Sequence, residues 1–258
     1  MQKQIVLLFG AGVYYAVSFY GLAILDAGLL VSALVLFGLP AYLLARYSAA
    51  PTPVITSIVA LGIGLSLVLE ATAGLYGLWD TGGVAQLRIF GLIPTELVLA
   101  TILQTLFLAL LYELLFDDGQ YTASSGRTRF GAFALFIVAA SIIALSLQYF
   151  FGNSFGADAY LWVVGILAGS GIAALALARV ITVRMFDKII DFSLLASIPL
   201  LIGSFLASAN GHKIFEGNTY LGDVTLFSIA VPFEELLLAI AIPFFIGVIY
   251  EVYLDDQQ

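Results

Sequence analysis

The chain carries glutamates where proton chemistry needs them. Glu96 stands two residues after Pro94, and Glu234 two residues after Pro232, with Glu235 beside it where the first site has Leu97. Proline suits the first turn of a helix, where its missing N–H has no intrahelical partner to lose. Pro94 and Pro232 therefore predict two helix starts with the carboxyls in the first turn, the end at which the helix dipole favours negative charge by about 0.3–1 kcal/mol. Two readings follow. The carboxyls either cap their helix starts near a membrane interface, or converge between the helices. Acids that converge in a partly buried site titrate apart, one neutral as proton donor and one charged as acceptor.

The remaining polar residues narrow the chemistry. There is no cysteine, which removes disulfides, thiolate nucleophiles, iron–sulfur clusters and thiolate zinc sites together. A single histidine, His212, cannot build a histidine metal or haem site, and it reads as exposed in a short loop. The pairs Tyr112-Glu113 and Tyr250-Glu251 read as interfacial anchors, and Asp117-Asp118 and Asp255-Asp256 as solvated helix ends. Trp79 and Trp162 suit an aromatic belt. No metal and no cofactor is expected. A net charge of −8 argues against nucleic acid as a partner.

These residues are held by an apolar chain. Of 258 residues 62% are hydrophobic and 10% charged, with mean hydropathy +1.10. Soluble domains run nearer a quarter charged, and apolar runs of about 20 residues are long enough to span a hydrocarbon core. The expectation is an all-α integral membrane protein with the bilayer as partner and spans near 5–25, 29–47, 53–72, 92–116, 131–151, 160–180, 191–209 and 228–254. Eight spans put Lys3, Arg46, Arg127, Arg129, Arg179, Arg184 and Lys188 on one side with both termini, leaving Arg88 and Lys213 on the other. By the positive-inside rule both termini are cytoplasmic in a multi-pass protein of the cell membrane. The sequence leaves room for a homo-oligomer.

Residues 94–118 align with 232–256 at an offset of 138. Pro94, Glu96, Leu99, Ile102, Phe107, Tyr112, Glu113, Asp117 and Asp118 meet the same residue types in the second segment. The expectation is two tandem four-helix repeats, 1–120 and 121–258. An even number of spans in each gives both the same orientation, as in parallel-repeat transporters.

Glu70, Gly77-Leu78-Trp79, Pro94-Thr95-Glu96 and Tyr112-Glu113 resemble the module of the small membrane-type lycopene β-cyclases, in which two such modules occur as separate subunits or fused. Pro232-Phe233-Glu234-Glu235 matches the family's Pro-x-Glu-Glu motif in full, and Ile249-Tyr250-Glu251 its usual helix end. The first copy departs from it with Leu97 in place of a carboxylate and Glu70 in place of aspartate. The second lacks the tryptophan, having Gly217-Asn218-Thr219. The modules also carry four spans each, where the family usually has about three. The resemblance implies cyclisation of a carotenoid ψ end to a β-ionone ring by acid–base chemistry, without net redox change. It implies Glu234 or Glu235 as acid and Glu96 as partner carboxylate, with Glu70, Trp79, Pro94, Pro232 and Phe233 around the substrate. Two other classes share the pattern: a proton-coupled transporter, and a non-catalytic carotenoid- or lipid-binding protein.

Overall fold

The computed structural model describes residues 2–48, 52–82, 87–89, 93–116, 159–178, 183–215, 220–226 and 228–254. The expected span at 131–151 lies outside them, as do Arg127, Arg129, Arg179, both Asp-Asp pairs and Gly217-Asn218-Thr219. The described elements are α1 (Gln2–Ile24), α2 (Leu29–Ser48), α3 (Thr52–Tyr76), β1 (Arg88–Ile89), β2 (Ile93–Pro94), α4 (Thr95–Phe116), α5 (Ala159–Ala178), α6 (Val183–Ala209), β3 (Asp223–Leu226), β4 (Ile229–Pro232) and α7 (Phe233–Leu254). Among the described residues α2, α3, α4, α6 and α7 are long and apolar enough to cross a membrane; the apolar stretches Phe9–Ile24 and Tyr160–Ala176 are shorter. Val17, Ile24, Leu43 and Ile198 are each more than half exposed. In water such side chains would form a large apolar patch, whereas lipid tails accept them.

α4 and α7 form the centre. α2 and α3 pack on α4, α5 and α6 pack on α7, and α4 meets both α6 and α7. Burial on α4 runs through Val98, Thr101, Thr105, Leu108 and Tyr112, the spacing of one helix face, and extends to Phe107, Ala109 and Leu110 as partners close from other sides. Close approach is set by small residues. A Cβ on Gly62 of α3 would lie 2.9 Å from the Ile102 Cα of α4, so the two backbones touch there.

α2 contains a π-helical turn, Leu34–Gly38, just ahead of Pro40. Pro40 has no N–H to offer the Leu36 carbonyl four residues back. The Tyr15 hydroxyl of α1 donates to that oxygen instead, at 3.0 Å, and Tyr14 donates to the Val35 carbonyl. A freed backbone acceptor inside an apolar bundle thus binds α1 to α2.

Three boundaries differ from expectation. Residues 93–94 and 228–232 do not begin helices. β1 pairs with β2 and β3 with β4 in antiparallel hairpins, and Pro94 and Pro232 end the second strands. Pro232, at φ −58° and ψ 147°, caps α7 from outside rather than sitting in its first turn. The Ile/Val/Phe runs ahead of each proline suit strand and helix equally by hydropathy, which is why the pattern concealed them. α6 also starts at Val183 rather than 191 and carries Arg184, Asp187, Lys188 and Asp191 in its first turns.

Candidate functional site

The loops that close α3 and α6 are built alike. α3 ends at Gly77, φ 62°, with the Leu78 N–H donating back to the Ala73 carbonyl at 3.1 Å. α6 ends at Gly211, φ 65°, with the His212 N–H donating to the Ala207 carbonyl at 2.8 Å. Both are Schellman-type turns, in which glycine occupies a left-handed conformation that a Cβ would oppose by about 1–2 kcal/mol. Each turn delivers the second residue beyond its glycine inward: Trp79 from one, Lys213 from the other. The loops then pair, Asp80 and Ile214 exchanging N–H···O bonds of 2.8 Å in both directions. Lys213 Nζ consequently lies 4.1 Å from the centre of the Trp79 ring, a cation–π contact.

Glu235 enters from the first turn of α7. Lys213 Nζ donates to its Oε1 at 2.7 Å and its Oε2 at 2.9 Å. Ser204 of α6 donates to Oε1 and Tyr160 of α5 to Oε2. Three further elements therefore fix the orientation of one carboxyl that is only 4% exposed. Across from it, Glu70 of α3 accepts a long hydrogen bond from Trp79 Nε1–H, 3.4 Å. Burial pushes the Lys213 ammonium down to about 7, against the opposing charge of Glu70. Its protonation therefore changes near neutral pH.

These groups line a cavity of about 130 Å³ between α2, α3, α4, α6 and α7. Leu36, Phe37, Leu69 and Leu200 supply apolar wall, and Glu70, Trp79, Ser204, His212, Lys213 and Glu235 the polar end. An apolar cavity of about 150 Å³ takes up benzene, so the space suits a ring-sized group. Cavity residues come in related positions. Glu70 and Ser204 stand 134 residues apart, as do Trp79 and Lys213; Leu97 and Glu235 stand 138 apart, as do Gln104 and Ile242. Glu70 comes from α3 and Glu235 from α7, and both line the same cavity as Lys213.

Of the residues singled out by sequence, Glu235, Glu70 and Trp79 meet in this cavity. Glu96 is half-buried in the first turn of α4 and does not line it; the second carboxyl there is Glu70. Glu234 is buried but turned to the outer loop, its Oε1 accepting the Leu221 N–H at 2.8 Å. Pro94 and Pro232 hold the hairpin ends opposite Arg88 and Asp223. Phe233 is 43% exposed and outside the cavity lining.

Trp79 is buried in the wall rather than sitting in an interfacial belt. His212, expected to be exposed, is buried: Nε2 lies 2.9 Å from the Ala27 carbonyl and Nδ1 3.4 Å from that of Gly82, tying the α1–α2 turn to the cavity rim. Sequence reasoning missed Lys213, Ser204 and Tyr160. A signal for the first two existed: shifting the offset from 138 to 134 lays Gly77-Leu78-Trp79 on Gly211-His212-Lys213 and Glu70 on Ser204.

A second polar cluster lies about 24 Å along α7, sixteen residues beyond Glu235. Tyr112 of α4 donates to Glu251, Tyr250 of α7 donates to Glu113, and Lys188 pairs with Glu251. These tyrosines and glutamates are buried, not interfacial anchors, and they cross-link the two central helices reciprocally. Among the described residues no three His, Cys, Asp or Glu side chains gather closely enough to hold a metal ion. The chemistry of the cavity is therefore read from its carboxyls, its lysine and its aromatic faces. No protein-family model matches the chain, and no curated protein or solved structure is significantly similar to it.

Proposed function

We propose that this chain is a carotenoid end-group cyclase that converts lycopene ψ ends to β-ionone rings. The observation that carries the reading is one small cavity in which Glu70, Lys213 and Glu235 face each other inside apolar walls. Cyclisation needs a proton donor, a proton acceptor and a dry, ring-sized space. The substrate dissolves in the bilayer and enters the bundle sideways, its end group reaching the polar end of the cavity.

In this mechanism Glu70 carries the proton. Two carboxyls with one ammonium leave one buried negative charge without compensation, a costly state inside a membrane that a single shared proton relieves. Glu70 delivers that proton to the terminal double bond, forming a C–H bond and a tertiary carbocation. The neighbouring double bond closes on the cation, forming the ring C–C bond. Loss of a ring proton to a cavity carboxylate leaves the new double bond. The Glu235 carboxylate, oriented by Tyr160, Ser204 and Lys213, stabilises the cation from close range. One face of Trp79 is taken by Lys213. Its part here is to hold the lysine and Glu70 in register.

The same reading takes the chain as two parallel four-helix repeats in an eight-span protein of the cell membrane. The paired loop turns, the related cavity positions and the reciprocal Tyr–Glu bonds support it. Expression in a lycopene-accumulating bacterium, followed by pigment chromatography, tests the activity. New β-ringed products that disappear with Glu235→Gln and with Glu70→Gln are expected. Unchanged lycopene, with folded protein present in the membrane, would overturn the reading.

A further inference from the structure

Lys213 has a chemistry open to it that cyclisation does not use. Its side chain lines the cavity and is 18% exposed. Its amine sits 4.1 Å above the Trp79 ring and 5.2 Å from that of Phe215, against the two oxygens of Glu235. A largely enclosed lysine flanked by a carboxylate and flat aromatic faces offers the parts that imine formation uses: a nucleophile, a proton acceptor that becomes a counter-ion, and a surface for a conjugated plane. Glu70, on the same cavity, supplies a second carboxyl for the oxygen that must leave.

We propose that Lys213 binds a long apolar aldehyde covalently, as a protonated Schiff base with Glu235 as its counter-ion. The ammonium passes a proton to Glu235, and the free amine attacks the aldehyde carbon, forming the C–N bond. The new alkoxide takes up a nitrogen proton by way of the Glu70 carboxyl, giving the carbinolamine with Glu70 unchanged. Its hydroxyl then accepts the proton held by Glu235 and leaves as water while the nitrogen lone pair forms the C=N bond, so the protonated imine is left beside the Glu235 carboxylate. One ammonium and one aldehyde give one iminium and one water, so atoms and charge balance without a redox partner. The carbons next to the imine lie along Leu36, Phe37 and Leu69, and the rest of the tail extends beyond this ring-sized space between the helices. The inference is independent of the cyclase reading, since it concerns the amine and its surroundings whatever else the cavity binds.

The lysine's lowered proton affinity makes the test selective. At neutral pH an amine near 7 is free on the order of a thousandfold more often than an ordinary lysine. The chain has three lysines, Lys3, Lys188 and Lys213, so the other two serve as internal references. The full-length protein in detergent is incubated with retinal, a C20 polyene aldehyde, reduced with borohydride, and mapped by peptide mass spectrometry. Label at Lys213 exceeding that at Lys3 and Lys188 by at least about tenfold is expected. Before reduction, an absorption band to the red of the free aldehyde should appear, and Glu235→Gln should displace it by removing the counter-ion. Label spread evenly over the three lysines, or absent from Lys213 in folded protein, would overturn the proposal. Lys213→Arg should abolish the label; if that variant does not fold, the wild-type map decides alone. A negative map leaves the pigment result untouched, so the two failures are distinguishable.

Discussion

Glu235 is the residue on which the chemistry turns, because four hydrogen bonds from Lys213, Ser204 and Tyr160 converge on it. Replacing it by glutamine keeps the shape and removes the charge, and should lower cyclisation by about 10²–10⁴-fold, the range for a lost acid or base. Glu70→Gln should do the same. Glu96→Gln should leave activity within about threefold, since Glu96 lies outside the cavity lining. Product yield per folded protein separates the three, and a loss with Glu96→Gln equal to that with Glu70→Gln would contradict the assignment. Lys213 gives a pH signature. Its folded value, about 7, lies below the unfolded value of about 10.4. Between those limits the unfolded chain binds a proton that the folded chain does not, so stability rises with pH from about 7 to 10 and is lost as pH falls through that window. Melting temperature in detergent should climb across it, and Lys213→Met should flatten the rise. The glutamates were legible because proline announces them. Lys213 was not, because a lone lysine after Gly-His carries no local motif; only alignment with Gly-Leu-Trp exposes it.

The helices bring these side chains together through close backbone contacts and reciprocal bonds. Gly62→Ala would drive a Cβ to 2.9 Å from the Ile102 backbone and separate α3, which carries Glu70, from α4. A loss of about 1–3 kcal/mol is expected, typical of overpacking. Gly64→Ala, whose Cβ would meet nothing within 4 Å, should be neutral. Unfolding of both variants in the same detergent checks the contrast. Tyr250→Phe removes the phenol that donates to the buried Glu113, and Tyr112→Phe the one that donates to Glu251. Each should destabilise by about 1–3 kcal/mol, the cost of withdrawing a partner from a buried polar group. The helices themselves were visible as apolar runs, but hydropathy does not set α4 apart from its neighbours, so its place at the centre with α7 came from the packing alone. The hairpins were not visible, since β-branched residues before a proline fit an outer helix turn as well as a strand. The reciprocal Tyr–Glu bonds also escaped, because pairing between α4 and α7 is a tertiary contact that a sequence offset only hints at.

Among the described residues the molecule is an apolar bundle with a polar cavity near one end and a polar cross-link about 24 Å away. Under the proposed eight-span topology, reporter fusions at the two termini should report the same, cytoplasmic, side; opposite sides would contradict it. The recurring Pro-x-Glu motif was readable at once, whereas the make-up of the cavity was not. In the proposed two-repeat reading it arises where the segments differ, Glu70 against Ser204, Trp79 against Lys213 and Leu97 against Glu235, and only packing shows that these positions face one space. The most direct measurement is cyclisation of lycopene by the purified protein in deuterated water. Acid-initiated ring closure adds one proton from the exchangeable cavity carboxyl and removes a different one, so each β-ring formed should carry one deuterium by mass spectrometry. Ringed product without deuterium, or no ringed product from folded protein, would contradict the account.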